Sequence, residues 1–264
     1  MTNHRPRSVS LGIPAVLAVL FVTVPLVSVI VRVPWSDAAG IVGTRAVRTA
    51  LGLSLQTSLV AAVVSAVVGV PLAWWLAHAS GLQARIVRVL CVAPMVMPPV
   101  VGGIALLSAF GRRGVVGQWL WEWWGISLPF TRTSVVMAQV FVAMPFLVLS
   151  AEAAFRQDGT SLEEAARTMG AGPVRIFFRV ALPAVLPSVL AGTLLAWARA
   201  IGEFGASITF AGSFPGRTQT LPMAVYEAVS IDYRQSMVLS LLLILVSLVV
   251  LGLMRERWLF GGAR

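Results

Sequence analysis

Apolar runs of about twenty residues recur along this chain without the two-residue alternation of a half-buried strand, and they leave few folds open. Inside the hydrocarbon core every backbone N–H and C=O must find a partner within the protein, so only helices and closed barrels cross it. Barrel strands alternate lipid-facing and interior residues in segments of about ten; these runs are longer and unbroken. The chain therefore reads as all-α, a polytopic helical membrane protein. Counting apolar residues places six spans at about 9–31, 56–77, 89–110, 134–154, 184–202 and 237–254. The first exceeds the apolar stretch of a signal peptide and ends without a small-residue cleavage site, so it reads as a retained helix.

Charge is sparse and one-sided. Only 11% of residues are charged, against about 25% in soluble domains, and the net charge of +10 comes from twenty arginines and no lysine. The arginines sit at the ends of apolar runs, where they anchor helices at headgroups, which excludes a nucleic-acid reading. A phosphate-binding P-loop requires a lysine, so this chain cannot hydrolyse ATP by that chemistry. With the amino terminus inside, eleven arginines face the cytoplasm and eight face out, a bias towards cytoplasmic termini. Cys91 lies alone in an apolar run and reads as a packed small hydrophobe. His4 and His78 have no metal-ligand company, and the ten acidic residues are too scattered to form a catalytic group.

Two interruptions shape the spans. Pro94, Pro98 and Pro99, followed by Gly102-Gly103, predict a bent third helix that faces protein, because each proline removes a ladder hydrogen bond. Trp119, Trp121, Trp123 and Trp124 lie between the third and fourth spans and predict a short helix on the bilayer surface.

A third interruption is a charged island: Asp158, Glu163, Glu164, Arg167, Arg175 and Arg179 between long apolar runs. Thr160 or Ser161 is placed to cap a helix, with Glu163 or Glu164 three residues on. Ala165, Ala166 and Gly170 give that helix a small, smooth face that another protein's groove can close around. Gly172-Pro173 ends it, and 174–180 predicts a second helix with Arg175 and Arg179 on its polar side. By residue chemistry alone a solvated loop fits equally well.

Glu164-Ala165-Ala166, Gly170 with nine residues between it and Val180, and then Leu182-Pro183 resemble the EAA signature of binding-protein-dependent ABC importer permeases, with Val180 where the family usually has isoleucine. The resemblance implies a type I ABC importer permease fold and a cytoplasmic coupling helix, near 160–172, seated in an ATPase subunit. Glu163, Glu164, Ala165, Ala166, Gly170, Leu182 and Pro183 would form the coupling surface. It extends over 51–254, leaving 1–50 as a cytoplasmic tail, first helix and external loop, and 255–264 as a cytoplasmic tail. Arg199-Ala200-Ile201-Gly202-Glu203-Phe204-Gly205-Ala206 is similar to a signature of molybdate, tungstate and sulfate permeases, and 215–222 with Tyr226 is similar to molybdate permeases in particular.

The resemblance further implies import of molybdate or tungstate across a bacterial or archaeal cytoplasmic membrane, with a sulfate or thiosulfate importer as the alternative. Its partners would be ABC ATPase subunits, a periplasmic or lipid-anchored molybdate-binding protein, membrane lipid and a second copy of the chain in a homodimer. No cofactor belongs to this chain; ATP and Mg²⁺ would be used by the partner ATPase.

Arg199 and Glu203 are one helical turn apart and share a face. Two readings stand. The pair neutralises itself and pins the fifth helix, or Arg199 lowers the barrier to a dianion while Gly202 and Gly205 let backbone amides approach the pathway. In either case Glu203 occupies the arginine, so tight anion capture belongs to another protein. Thr218, Gln219 and Thr220 beyond the fifth span fit a docking surface for the binding protein, and ordinary loop polarity explains them equally well.

Overall fold

The computed structural model describes residues 9–158 and 160–252, all of whose regular elements are helical. In chain order these are α1 (Val9–Arg32), α2 (Trp35–Gly43), α3 (Arg45–His78), α4 (Gly81–Val96), α5 (Pro99–Phe110), α6 (Gly117–Trp124) and α7 (Arg132–Asp158). The charged island forms α8 (Thr160–Thr168) and α9 (Pro173–Ile176). A π-turn at Phe177–Ala181 then leads into α10 (Leu182–Ile201), α11 (Gly205–Ala211), α12 (Leu221–Ile231) and α13 (Tyr233–Gly252). The tails at 1–8 and 253–264 and the side chains of Thr160 and Ser161 lie outside the described residues, so the expected cap falls there too.

Among the described residues five helices are long and apolar enough to cross a membrane: Gly12–Arg32, Arg45–His78, Arg132–Gln157, Pro173–Ile201 and Tyr233–Gly252. The third of the six expected spans is broken rather than bent, into α4 and α5. Met97 is extended (φ −66°, ψ 138°) and so is Pro98 (φ −54°, ψ 132°). Each precedes a proline, whose ring clashes with a helical predecessor. The fifth span begins earlier than its apolar composition indicates. The expected second island helix is continuous with it from Pro173, so Leu182 and Pro183 belong to the membrane helix. The π-turn falls just ahead of Pro183, where the α ladder would need the N–H that proline lacks.

The core is a bundle of α3, α7 and α10. Lipid tails are as apolar as leucine, so burial alone gives such helices little reason to associate, and close approach of small residues supplies the contact. Its cluster is accordingly rich in alanine: Ala61, Ala73, Ala143, Ala151, Ala196 and Ala200 are all buried. A Cβ at Gly69 would lie 3.1 Å from Val148 Cγ2, and one at Gly192 would lie 3.0 Å from Ser150 Cβ. Helix α1 exposes its side chains along nearly its whole length.

At one end of the bundle α5 packs on α11 through the same device. A Cβ on Gly103 would meet Thr209 Cβ at 2.6 Å and the Ala206 carbonyl oxygen at 2.7 Å. Gly103→Ala is therefore expected to cost about 1–3 kcal/mol through overpacking against backbone. Thermal unfolding of the detergent-solubilised protein should show a clear fall in Tm. Gly52→Ala, where nothing lies within 4 Å, should not lower Tm and should raise it slightly, because alanine is the better helix former.

Candidate functional site

Helix α8 stands at the end of the bundle where α3 finishes. Its carboxylates face opposite ways. Glu163 is 1% exposed and turned into its own chain, where Trp74 Nε1–H donates to Oε1 at 3.2 Å and His78 Nε2 lies 2.9 Å from Oε2. Arg167, one turn on, stands 3.6 Å from the same oxygen. Ala166 is buried with it, while Glu164, Ala165 and Gly170 face outward beside the exposed apolar side chains of Leu162 and Met169. Of the seven expected coupling residues, Glu163 and Ala166 brace the helix from beneath. Leu182 packs against the bundle core, and Pro183 is exposed on the membrane helix. The presented face is Glu164, Ala165 and Gly170.

Gly170 has a backbone reason to be glycine. Its φ is +80°, its N–H bonds the Arg167 carbonyl at 3.0 Å, and the Ala171 N–H bonds the Ala166 carbonyl at 3.0 Å. This pair of bonds is a Schellman cap, which needs a left-handed residue at that position.

A second carboxylate is buried nearby. Glu152 on α7 accepts from Arg88 Nη2 at 2.7 Å and Nε at 3.0 Å, and from Arg156 Nε at 3.1 Å. Both arginines also donate to the Leu76 carbonyl, at 3.3 Å and 3.1 Å, one of the final carbonyls that α3 leaves without a helical partner. Burial penalises a lone carboxylate heavily, and two guanidinium forks offset that cost while tying α3, α4 and α7 together. Only the Glu152–Arg156 spacing, one helical turn, signals this junction in the sequence. Arg88, 64 residues from Glu152, gives no such signal, and neither do Trp74 and His78.

At the other end of the bundle, Arg199 Nη1 lies 2.8 Å from Glu203 Oε2, and Ala206 N–H donates to Glu203 Oε1 at 2.9 Å. Glu203, 1% exposed, thus neutralises Arg199 and caps the start of α11. Gly202 is exposed where α10 ends. Gly205 instead touches α5: a Cβ there would meet Pro99 Cβ at 2.6 Å, so its smallness serves helix contact rather than amide exposure. Thr218, Gln219 and Thr220 are buried and cannot form an outward docking face. Thr218 Oγ1 donates to the Gly212 carbonyl at 3.0 Å and accepts from the Phe214 N–H at 3.1 Å. Gln219 Nε2 donates to Glu227 Oε2 at 2.7 Å. These residues fold the loop internally and leave Phe214, Pro215, Gly216 and Arg217 on its surface. Among the described residues no group of three or more His, Cys, Asp or Glu side chains is placed to hold a metal ion.

The sequence profile of the binding-protein-dependent transport system inner membrane component matches residues 69–259. The molybdenum transport system permease protein ModB of Mycobacterium tuberculosis is 47% identical over 248 residues, 94% of this chain and 93% of the relative. That of Escherichia coli K12 is 38% identical over 207 residues, 78% of this chain and 90% of the relative. Among solved structures, a bacterial ABC transporter involved in the import of the acidic polysaccharide alginate superposes with a TM-score of 0.76 at 15% identity, covering 94% of this chain and 93% of the other.

The cap geometry sets apart two substitutions at Gly170. Alanine forced into the left-handed region should cost about 1–2 kcal/mol. Asparagine, which visits that region routinely, should cost much less. Hydrogen exchange at the Ala171 amide, which closes the cap, should accelerate about tenfold in Gly170→Ala and stay near wild type in Gly170→Asn.

Proposed function

The chain belongs to the family of binding-protein-dependent transport system inner membrane components, and on that premise we propose that it is the permease subunit of an ATP-driven molybdate importer. It forms the translocation pathway and carries tungstate as well, another tetrahedral dianion. The observation that carries the cargo assignment is the 47% identity to a molybdenum transport permease across 94% of the chain. The coupling assignment rests on α8, a short charged helix that turns Glu164, Ala165 and Gly170 outward and fixes Glu163 and Ala166 to the bundle.

In this reading α8 lies in the cytoplasm with both chain termini and seats in a groove of an ATPase subunit. The lysine-free sequence has no P-loop, so ATP and Mg²⁺ are bound by that partner and this chain carries no cofactor. Each copy offers one α8, so a pair of ATPase subunits calls for a homodimer of this chain. ATP favours the closed ATPase pair and, through its unequal affinity for the two states, shifts the permease between inward and outward openings. A periplasmic or lipid-anchored binding protein captures the anion. The pathway can pass a dianion without trapping it, because Arg199 is already neutralised by Glu203.

Proteoliposomes holding this chain, its ATPase and the loaded binding protein should accumulate molybdate only when ATP is supplied to the ATPase face. Sulfate at equal concentration should not be accumulated. Uptake without the ATPase, or uptake of sulfate in place of molybdate, would contradict the proposal.

A further inference from the structure

Helix α8 is joined to α9 and to α7 by short stretches of chain, and Glu163 adds a polar attachment to α3. Trp74 and His78 stand on the last turn of α3, 89 and 85 positions before Glu163. Trp74 Nε1–H reaches one carboxylate oxygen at 3.2 Å and His78 Nε2 the other at 2.9 Å. His78 Nδ1 is held in turn by the Trp74 carbonyl at 2.8 Å. A carbonyl only accepts, so Nδ1–H is the donor in that bond, which fixes the ring with Nε2 facing Glu163. The indole of Trp74 also packs against Phe177 of the π-turn at a ring separation of 5.2 Å. Helices α3 and α8 therefore meet on one buried carboxylate, and the entry to α10 packs against the indole that binds it.

Helix α3 runs unbroken for 34 residues from this contact to the far end of the bundle, about 50 Å at 1.5 Å per residue. There Ser54 Oγ accepts the Leu221 N–H at 2.7 Å and Ser58 Oγ accepts from Trp197 Nε1 at 3.0 Å. Those bonds hold α12 and α10 close to the Arg199–Glu203 pair. One continuous helix, its hydrogen-bond ladder interrupted at Pro71, thus has a grip on α8 near one end and on α10 and α12 nearer the other.

We propose that His78 and Trp74 are positioning residues for coupling: their hold on Glu163 transmits displacement of α8 into α3, and through it to the far end of the bundle. This rests on α8 being the ATPase contact. Break the clamp, and α8 can still seat in the ATPase while its movement no longer reaches α3.

The test uses the reconstituted importer with its ATPase and binding protein. In His78→Ala the maximal rate of molybdate uptake should fall about tenfold, a loss of the size typical for a coupling free energy. The concentration of loaded binding protein at half-maximal rate should stay at the wild-type value, and ATP consumed per anion imported should rise. His78→Arg, which again places N–H donors opposite Glu163, should recover most of the lost rate. His78→Ala combined with Glu163→Gln should be no worse than the worse single variant.

Wild-type rate and ATP cost in His78→Ala would overturn the proposal. So would failure of that variant to assemble with the ATPase together with no rescue by His78→Arg, since the contact would then be a folding brace. Failure of the underlying reading looks different: the wild-type complex itself would import without its ATPase.

Discussion

Close approach of small side chains is the contact on which the other features of this molecule depend. In lipid, apolar surface has no reason to leave its surroundings, so α3, α7 and α10 are held by how nearly their backbones meet. The stripe Ala61, Ala73, Ala143, Ala151, Ala196 and Ala200, with Gly69 and Gly192 against Val148 and Ser150, sets that spacing. Once these helices are in contact, their ends coincide, and the charged residues that could not stay in the membrane gather there. Glu152 meets Arg88 and Arg156 at the last turn of α3, and Glu163 meets Trp74 and His78 on the same turn. The α8 face is stiff because the bundle beneath it is.

The spans were legible in the sequence because helix length and hydropathy are local properties. The break at Met97 was legible as a disturbance for the same reason, since two successive prolines restrict the residues before them. Its form was not, because bending and breaking depend on whether neighbours satisfy the freed carbonyls. The extra length of the fifth span was hidden by Arg175 and Arg179, which look like loop residues until the helix is seen to reach beyond the apolar zone. Helix α8 was visible as a charged island, and its resemblance to a known signature gave it a role.

Which way each residue points was beyond local reading. Glu163 and Glu164 are adjacent and chemically alike, yet a rotation of about 100° between neighbours on a helix sends one inward and one outward. Only the position of α3, supplied by a segment 85 residues earlier, decides between them. Thr218, Gln219 and Thr220 carry the same lesson. Their polarity suggests a wet surface, but all three are buried, with the Gly212 carbonyl meeting Thr218 and the Glu227 carboxylate meeting Gln219. Gly205 and Gly170 are both glycines for reasons that spacing cannot separate, the first for contact with Pro99 and the second for a positive φ.

Together these features describe a permease whose buried carboxylates Glu152, Glu163 and Glu203 are each met by a basic side chain, and whose α8 turns one face outward to a partner. The central claim is that the Glu164–Ala165 side of α8 seats in the ATPase. A photo-crosslinking residue placed at Ala165 tests it most directly, with a matching one at the exposed Leu245 of α13 as reference. Ala165 should capture the ATPase subunit and Leu245 should not. Capture from Leu245 with none from Ala165, in a complex that imports molybdate, would contradict it.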